Sequence, residues 1–286
     1  MSTAPRPSRI EDETRLKEIW KLSFNDEDSF ISAFFGSLYR PDMATVIGEQ
    51  GLPVSSAYML SGISLRAPDR SPMNCGYLYS LGTLPEFQGR GFASKIAEEA
   101  ARRAYASGCD FVSTLPASPS LYDWYSRTVG ARTRFWAREK ALTAPVSATG
   151  KLSVISASRY NELREELLDA RAHAAFSDEL ISWQDTLSRL CGGGLYELQT
   201  PDAWGCAVAE KDSSRGLFIK ELLITDNSTD KAASLLMNSL DCKSCLLRTP
   251  VFIGDGAVRD FTVVFPPQSG VCLPVIQGAY WGLAFD

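Results

Sequence analysis

One stretch of the chain combines residue types suited to holding an anion: Thr83-Leu-Pro-Glu-Phe-Gln-Gly-Arg-Gly-Phe-Ala-Ser-Lys-Ile96. The apolar run before it reads as a strand. The repeat of Phe92, Ile96, Ala100 and Ala104 after it reads as a helix, with Glu98/Arg102 and Glu99/Arg103 at i,i+4 on the other face. Between them Gln88-Gly89-Arg90-Gly91-Phe92-Ala93 forms a tight turn. Gly89 and Gly91 accept positive φ and let backbone N–H groups approach a ligand closely. The start of the helix adds uncommitted N–H donors and a partial positive charge. Together these parts make a cradle for a phosphate or pyrophosphate, although a plain strand–turn–helix connection also favours glycine. No Gly-x-x-x-x-Gly-Lys-Ser/Thr occurs, and Ser94 stands where the dinucleotide fingerprint needs its third glycine, so those two nucleotide loops are excluded.

The elements that must position this cradle follow from periodicity. In the first half, amphipathic helices are expected at 13–22 and 28–38, and strands at 44–48, 54–60 and 76–82. After the cradle helix, which Gly108 is placed to end, come a buried strand at 111–115 and a short aromatic helix at 120–128. The second half repeats the order without the glycine turn. Helices are expected at 160–170, 178–190 and 231–240, with strands at 195–198, 204–210, 217–225, 245–249, 261–265 and 280–285. Residues 141–151, small and polar with one Pro and one Gly, have the composition of a linker. They divide the chain into 1–143 and 152–286, each near the usual size of a domain.

The motif Gln88-x-x-Gly91-x-Ala93, preceded by Thr83-Leu-Pro-Glu-Phe87, resembles the coenzyme A signature of the GNAT superfamily of N-acetyltransferases. Leu121-Tyr122-Asp-Trp-Tyr125 with Gly130 resembles that family's aromatic helix, which usually ends Tyr-x-x-x-Gly-Phe. Here the tyrosine-to-glycine spacing is one residue longer, and Ala131 stands in place of the phenylalanine. The resemblance covers about 76–134. The whole chain is similar to a bacterial class with two GNAT-like halves, of which only the first binds coenzyme A. It implies an α/β (α+β) fold of tandem GNAT-like domains, each a mixed, mostly antiparallel central sheet flanked by helices. The first, 1–143, would be catalytic. The second, 152–286, would be a degenerate copy, since Ile224-Thr-Asp-Asn-Ser-Thr-Asp-Lys231 lacks the cradle glycines.

The same resemblance implies direct attack of a primary amine on the thioester of acetyl-CoA, the acyl-donor substrate, without an acyl-enzyme. Backbone donors for the thioester carbonyl would come from Leu81, Gly82 and Thr83. The pyrophosphate would rest on Gln88, Gly89, Arg90, Gly91, Phe92 and Ala93. The acid for the departing thiolate would be Tyr125, with Tyr122 in reserve; aromatic core packing is the other reading of that cluster. The base stays open. The strands beside the cleft carry no carboxylate, Glu86 reads as solvent-facing, and a water chain is the default. Asp286 offers two carboxylates at the chain end, and in aminoglycoside-acetylating relatives a terminal carboxylate reaches the active site. An edge strand with a solvated end is the ordinary reading of that segment. A non-catalytic acyl-CoA sensor and an aminoacyl-tRNA-dependent peptidyltransferase are the competing functions.

Composition bounds the remaining classes. Apolar residues make up 45% and charged residues 22%, with a net charge of −5. That balance suits a globular protein and argues against nucleic acid or an anionic membrane as partner. No apolar run is long enough to span a bilayer, and residues 1–15 are polar, so a cytoplasmic location is expected. Seven cysteines, an odd number scattered from Cys75 to Cys272, do not form a disulfide framework. Cys242 and Cys245 are a lone C-x-x-C, and with His173 the single histidine no four-ligand metal site is expected. His173 sits in a stretch that reads as helical, with no nucleophile motif nearby.

Overall fold

The computed structural model describes residues 4–266 and 278–286, and Cys272 lies outside them. The chain begins with β1 (Arg6–Pro7), α1 (Glu13–Phe24), α2 (Asp28–Ser37), β2 (Ala44–Glu49), β3 (Leu52–Ala67) and β4 (Arg70–Thr83). Next come α3 (Phe92–Ala106), β5 (Phe111–Thr114), α4 (Pro119–Val129) and β6 (Arg132–Thr133). It continues with β7 (Trp136–Leu142), β8 (Lys151–Val154), α5 (Ala157–Leu168), β9 (His173–Phe176), α6 (Asp178–Leu190) and β10 (Gly194–Gln199). After these stand β11 (Trp204–Asp212), β12 (Gly216–Ile224), α7 (Thr229–Ser239), β13 (Cys245–Thr249), β14 (Ala257–Asp260) and β15 (Val263–Val264).

Helix ends fall where local chemistry dictates. Ser156 and Ser177 cap α5 and α6 by accepting from the amides of Arg159 and Leu180. Pro119 opens α4, and Gly130 closes it in the left-handed conformation at φ 71. The apolar face of α3 is buried as its periodicity requires, with Phe92, Ile96, Ala97, Ala100, Ala101 and Ala104 inside. Its charged face differs from expectation. Arg102 pairs with Glu99 at i,i+3, while Arg103 leaves the helix to reach Thr45 Oγ1 at 2.8 Å and Asp42 O at 2.7 Å.

Two compact units result. The first holds residues 4–64, 73–133 and 263–266; the second holds 65–72, 134–262 and 278–286. The change-over lies at Thr133/Arg134, upstream of the small-residue stretch 141–151. The cause is an exchange of strands. β7 pairs antiparallel with β13, from Arg138↔Thr249 to Leu142↔Cys245, in the second sheet. β15, from far along the chain, lies between β5 and β6 in the first.

The first sheet runs β1-β2-β3-β4-β5-β15-β6, and its parallel rungs join β4 to β5. On one face Trp20 of α1 centres an aromatic cluster, with Phe34, Tyr58 and Tyr79 at ring distances of 4.7, 5.4 and 5.7 Å. Such pairs add about 0.5–1.5 kcal/mol each beyond their burial. α3 covers the other face closely enough that a Cβ on Gly76 would sit 3.4 Å from Ala104.

The second sheet runs β14-β7-β13-β12-β11-β10-β8, antiparallel except for β12 and β13. Its core contains the buried ion pair Arg164–Glu221 at 3.0 Å. Arg164 also donates to Ala174 O at 2.7 Å and Trp281 O at 3.3 Å. These bonds correct two expectations. The segment around His173 is a strand rather than a helix, because Arg164 and a bridge to Tyr280 claim its backbone. The closing segment is not a regular strand, since Gly282 and Phe285 take φ of 88 and 59. Cys242 and Cys245 are half-buried and buried thiols at the start of β13.

The exchange carries a prediction. A fragment of residues 1–143 lacks β15, so Ser113 Oγ loses its acceptor Val263 O and β5 becomes an open edge. The fragment is expected to lose cooperative thermal unfolding by circular dichroism. A transition as sharp as that of the full chain would show that β15 is dispensable.

Candidate active site

β4 and β5 are joined by three parallel rungs: Cys75↔Phe111, Gly76↔Val112 and Tyr77↔Ser113. At the next position a side chain takes over, and Thr114 Oγ1 donates to Leu78 O at 2.8 Å. β5 ends there while β4 runs on to Thr83. From Tyr79 onward, no strand among the described residues pairs with that edge of β4. The other edge stays attached to β3. Ser55 Oγ donates to Gly82 O at 2.8 Å and shares a hydrogen bond with Thr83 Oγ1 at 2.7 Å, and Leu84 N donates to Val54 O.

Inside this fork Ser80 takes φ 49, a left-handed conformation that costs a non-glycine residue about 1–3 kcal/mol. Its effect can be read from side-chain parity. Gly76 faces α3, and Tyr79 faces α1 through Trp20 and Phe34. Strict alternation would return residue 82 to the α3 face. Instead a Cβ on Gly82 would meet Ser23 Oγ of α1 at 2.7 Å and Ser23 Cβ at 2.9 Å. One extra residue at Ser80 therefore re-aims the end of β4, as a bulge does. Gly82 is a glycine because α1 leaves no room for a side chain.

The strand then enters a short turn, Pro85–Phe87, followed by Gly89 at φ 73 and Gly91 at φ 75. A Cβ at Gly89 would meet nothing within 4 Å, and one at Gly91 only Ser94 Oγ at 3.9 Å. Glycine is needed here for conformation, and the space above the loop is open to a ligand. No side chain caps the first turn of α3, so the amides from Phe92 and Ala93 onward face that space uncapped. Gln88 Nε2 bridges back to Thr83 O at 3.1 Å. Arg90 lies over the rings of Phe87 and Phe92 and pairs with Glu49 at the end of β2. Its side chain braces the loop. Glu86 is exposed.

α4 brings Tyr125 to the fork. The residue is 6% exposed, with its ring set edge-on to Phe265 at 5.9 Å. Burial pushes the phenol up to about 12, the Thr114 hydroxyl pulling the other way. Tyr122, one turn earlier, is half-buried. Ser80, Thr114 and Phe265 have no sequence motif; Thr114 was legible only as part of the buried strand expected at 111–115.

The second unit has the same strand plan with different chemistry at the helix start. β12 and β13 share the parallel rungs Leu217↔Cys245, Phe218↔Leu246 and Ile219↔Leu247. At the approach to α7, Asp226 Oδ1 accepts from Ser228 N at 2.8 Å and Asn227 Oδ1 accepts from Gly254 N at 3.1 Å. Asp230 stands in the first turn, paired with Lys140 at 2.8 Å. Carboxylates thus sit where a phosphate would rest. Asp286 is bound within this unit, accepting from Arg248 at 3.2 Å with 30% of its side chain exposed. Among the described residues no cluster of three His, Cys, Asp or Glu is arranged for a metal, and no helix is long and apolar enough to cross a membrane.

Residues 4–126 match the family model described as an acetyltransferase (GNAT) domain. No curated protein matches the chain by sequence. Among solved structures, a probable N-acyltransferase from Enterococcus faecalis superposes with a TM-score of 0.69 at 13% identity, covering 92% of this chain and 72% of the other. Eis1 from Mycobacterium abscessus gives 0.61 at 14%, covering 92% and 73%. The N-myristoyltransferase of Saccharomyces cerevisiae, with bound myristoyl-CoA, gives 0.55 at 9%, covering 93% and 79%. At these identities the likeness is one of fold, and it extends over both units.

The re-aimed strand is testable by packing. Gly82→Leu forces a side chain into Ser23 and Phe24 of α1 and is expected to cost about 1–3 kcal/mol in urea unfolding. An unchanged midpoint would mean that residue 82 does not face α1.

Proposed function

We propose that this chain, whose residues 4–126 match the acetyltransferase (GNAT) domain model, transfers an acetyl group from acetyl-CoA to a primary amine by direct attack. The observation that carries this reading is the fork of β4 and β5 opening onto the uncapped start of α3. An extended acyl donor can lie along the edge of β4 that β5 does not reach, as an added strand would. Its pyrophosphate then meets the amides of Gly89 to Ala93, which the two glycines turn outward.

In the step itself the amine lone pair attacks the thioester carbonyl carbon, a C–N bond forms and the C–S bond breaks. Backbone N–H groups of Leu81 to Thr83, past the bulge at Ser80, stabilise the carbonyl oxygen as it gains charge. Tyr125 donates its hydroxyl hydrogen to the departing sulfur, and water takes the proton lost by the amine and returns one to the phenolate. Burial keeps the phenol protonated throughout the physiological range, as an acid requires. The second unit has carboxylates at the start of α7 and takes no cofactor of its own. A different reading, an acyl-CoA-binding protein without transfer, draws on one observation, the 6% exposure of Tyr125. Release of free thiol with a panel of amines separates the two.

Acetyl-CoA at a hundredfold excess over Kd adds about 2.7 kcal/mol of stability, a rise of roughly 5–10 °C in Tm for a unit of this size. Gly91→Asp, which puts a side chain and a negative charge into the cradle, should abolish the rise. Calorimetric titration should give one site per chain. No shift in the wild-type protein at millimolar acetyl-CoA would remove the basis of the proposal.

Tyr125→Phe keeps the ring against Phe265 and removes the proton. It is expected to lower kcat by about 10²–10⁴-fold and to leave acetyl-CoA affinity near wild type. KM should change little, since the lost interaction belongs to the transition state. Tyr122→Phe should be milder. Full activity in both variants would pass the acid role to water.

A further inference from the structure

The glycine turn before α3 is fastened at both ends to one hairpin. β2 and β3 meet at Glu49↔Leu52, and the two residues between them, Gln50 and Gly51, take φ of 52 and 90. Positive φ at both central positions is the tight turn whose twist matches that of its strands, so Glu49 stands on a well-fixed rung. Two residues past Leu52, Val54 O accepts from Leu84 N at 3.0 Å, immediately before the chain turns at Pro85. At the far end Arg90 returns to the same hairpin. Its Nη1 donates to Glu49 Oε2 at 3.0 Å and its Nη2 to Glu49 Oε1, a two-pronged fork. The guanidinium also lies 5.3 Å from the ring of Phe87 and 5.0 Å from that of Phe92, residues that flank the glycines in the chain. Phe92 is itself anchored, 5% exposed on the buried face of α3. The turn needs such a fastening. Gly89 and Gly91 take the left-handed conformation, and a Cβ at either would meet nothing closer than 3.9 Å. They have no side chain to pack, and glycine loses more backbone freedom on ordering than any other residue. A loop already held in its bound shape does not have to be ordered by the ligand, and affinity rises accordingly.

We infer that Glu49 is a positioning residue for the acyl donor: through its fork to Arg90 it fixes the Gly89–Gly91 turn, before any ligand binds, in the shape that receives the donor's pyrophosphate. The inference rests on the proposed function and adds a residue that acts through the turn. The side chains of Arg90 and Glu49 are 44% and 31% exposed, so the pair contributes little to global stability and its effect is local. With its charge matched by Glu49, Arg90 serves the shape of the turn and is not a free cation waiting for the ligand.

The test measures acetyl-CoA binding to the full-length protein by calorimetry, beside the urea midpoint without ligand. Glu49→Gln keeps the shape of the side chain, removes its charge and turns one acceptor into a donor. It is expected to raise Kd roughly 2- to 5-fold, the scale of an exposed ion pair, with the ligand-free midpoint unchanged. In the ligand-free variant the NMR order parameters of the Gly89 to Ala93 amides should fall, and saturating acetyl-CoA should return them to the wild-type values. Arg90→Met keeps an apolar stem against the rings and loses the fork, so it should raise Kd at least as much. Adding Glu49→Gln to Arg90→Met should have no further effect, since the group it holds is gone. Tighter binding by Glu49→Gln would overturn the inference, because Glu49 would then compete with the ligand for Arg90. So would an unchanged Kd, with or without a lower midpoint, which would leave the pair a purely structural role. A further change in Kd on adding Glu49→Gln to Arg90→Met would do the same, since Glu49 would be acting by another route. A wild-type protein that does not bind acetyl-CoA would remove the proposed function itself, a result distinct from any of these.

Discussion

A parallel pair of strands that stops pairing part-way is the constraint from which the first unit's site follows. β5 has four residues and β4 has fourteen, so the longer strand must continue without a partner on that side. Backbone N–H and C=O groups left in this way are costly unless something bonds to them. The fold meets the problem in three ways at once. A threonine side chain finishes the last rung, a left-handed serine turns the strand toward α1, and β3 holds the far edge. What remains is a short stretch of β4 that no described strand covers on that side, leading into the turn before α3. It is this stretch, with the glycine turn after it, that the proposed acyl donor would use.

The second unit shows what the same strand plan becomes when the local chemistry changes. Its forked pair is followed by a helix whose approach is filled by Asx-type hydrogen bonds from Asp226 and Asn227. Where its strands part, the buried side chains are Lys220 and Arg248, matched to Glu210 at 2.9 Å and Asp286 at 3.2 Å. A paired interior of this kind favours a single rigid arrangement, because losing either partner strands a buried charge at a cost of about 3–5 kcal/mol. The first unit leaves its fork open and the second closes it with ion pairs.

How much of this was legible in the sequence depended on the range of each cause. The glycine turn was legible because Gly89 and Gly91 are needed for their own backbone angles, a property that travels with the residue. The helices α1, α2, α3 and α6 were legible because their buried faces repeat at the helical period. Ser80 was not, since nothing in a serine announces positive φ; the packing of α1 against Gly82 imposes it. His173 misled because Ala-rich neighbours favour a helix, whereas Arg164 and Tyr280 claim that backbone for a strand. The seam between units was invisible for the same reason. The linker-like stretch 141–151 looks separable, yet β7 before it and β15 after it belong to sheets that their position in the chain does not suggest. Tyr125 could be picked out as an aromatic on a helix, but the side-chain rung from Thr114 to Leu78 O could not.

The position of β15 also sets a clock. Ser113 and its acceptor Val263 are 150 residues apart in the chain. At about 5–20 residues per second of synthesis, roughly 8–30 s pass between the appearance of β5 at the ribosome and that of the strand that covers it. Over that interval the nascent first unit presents a β5 edge with unmet hydrogen bonds, the kind of surface that pairs with another chain. Its aromatic cluster around Trp20 and its α3 face draw on residues already synthesised and can consolidate early. The fork, and with it the wall behind Tyr125, is finished last. A nascent chain would therefore collapse well before the fork is complete, and slow synthesis between residues 114 and 263 would prolong the period in which misassociation competes with completion.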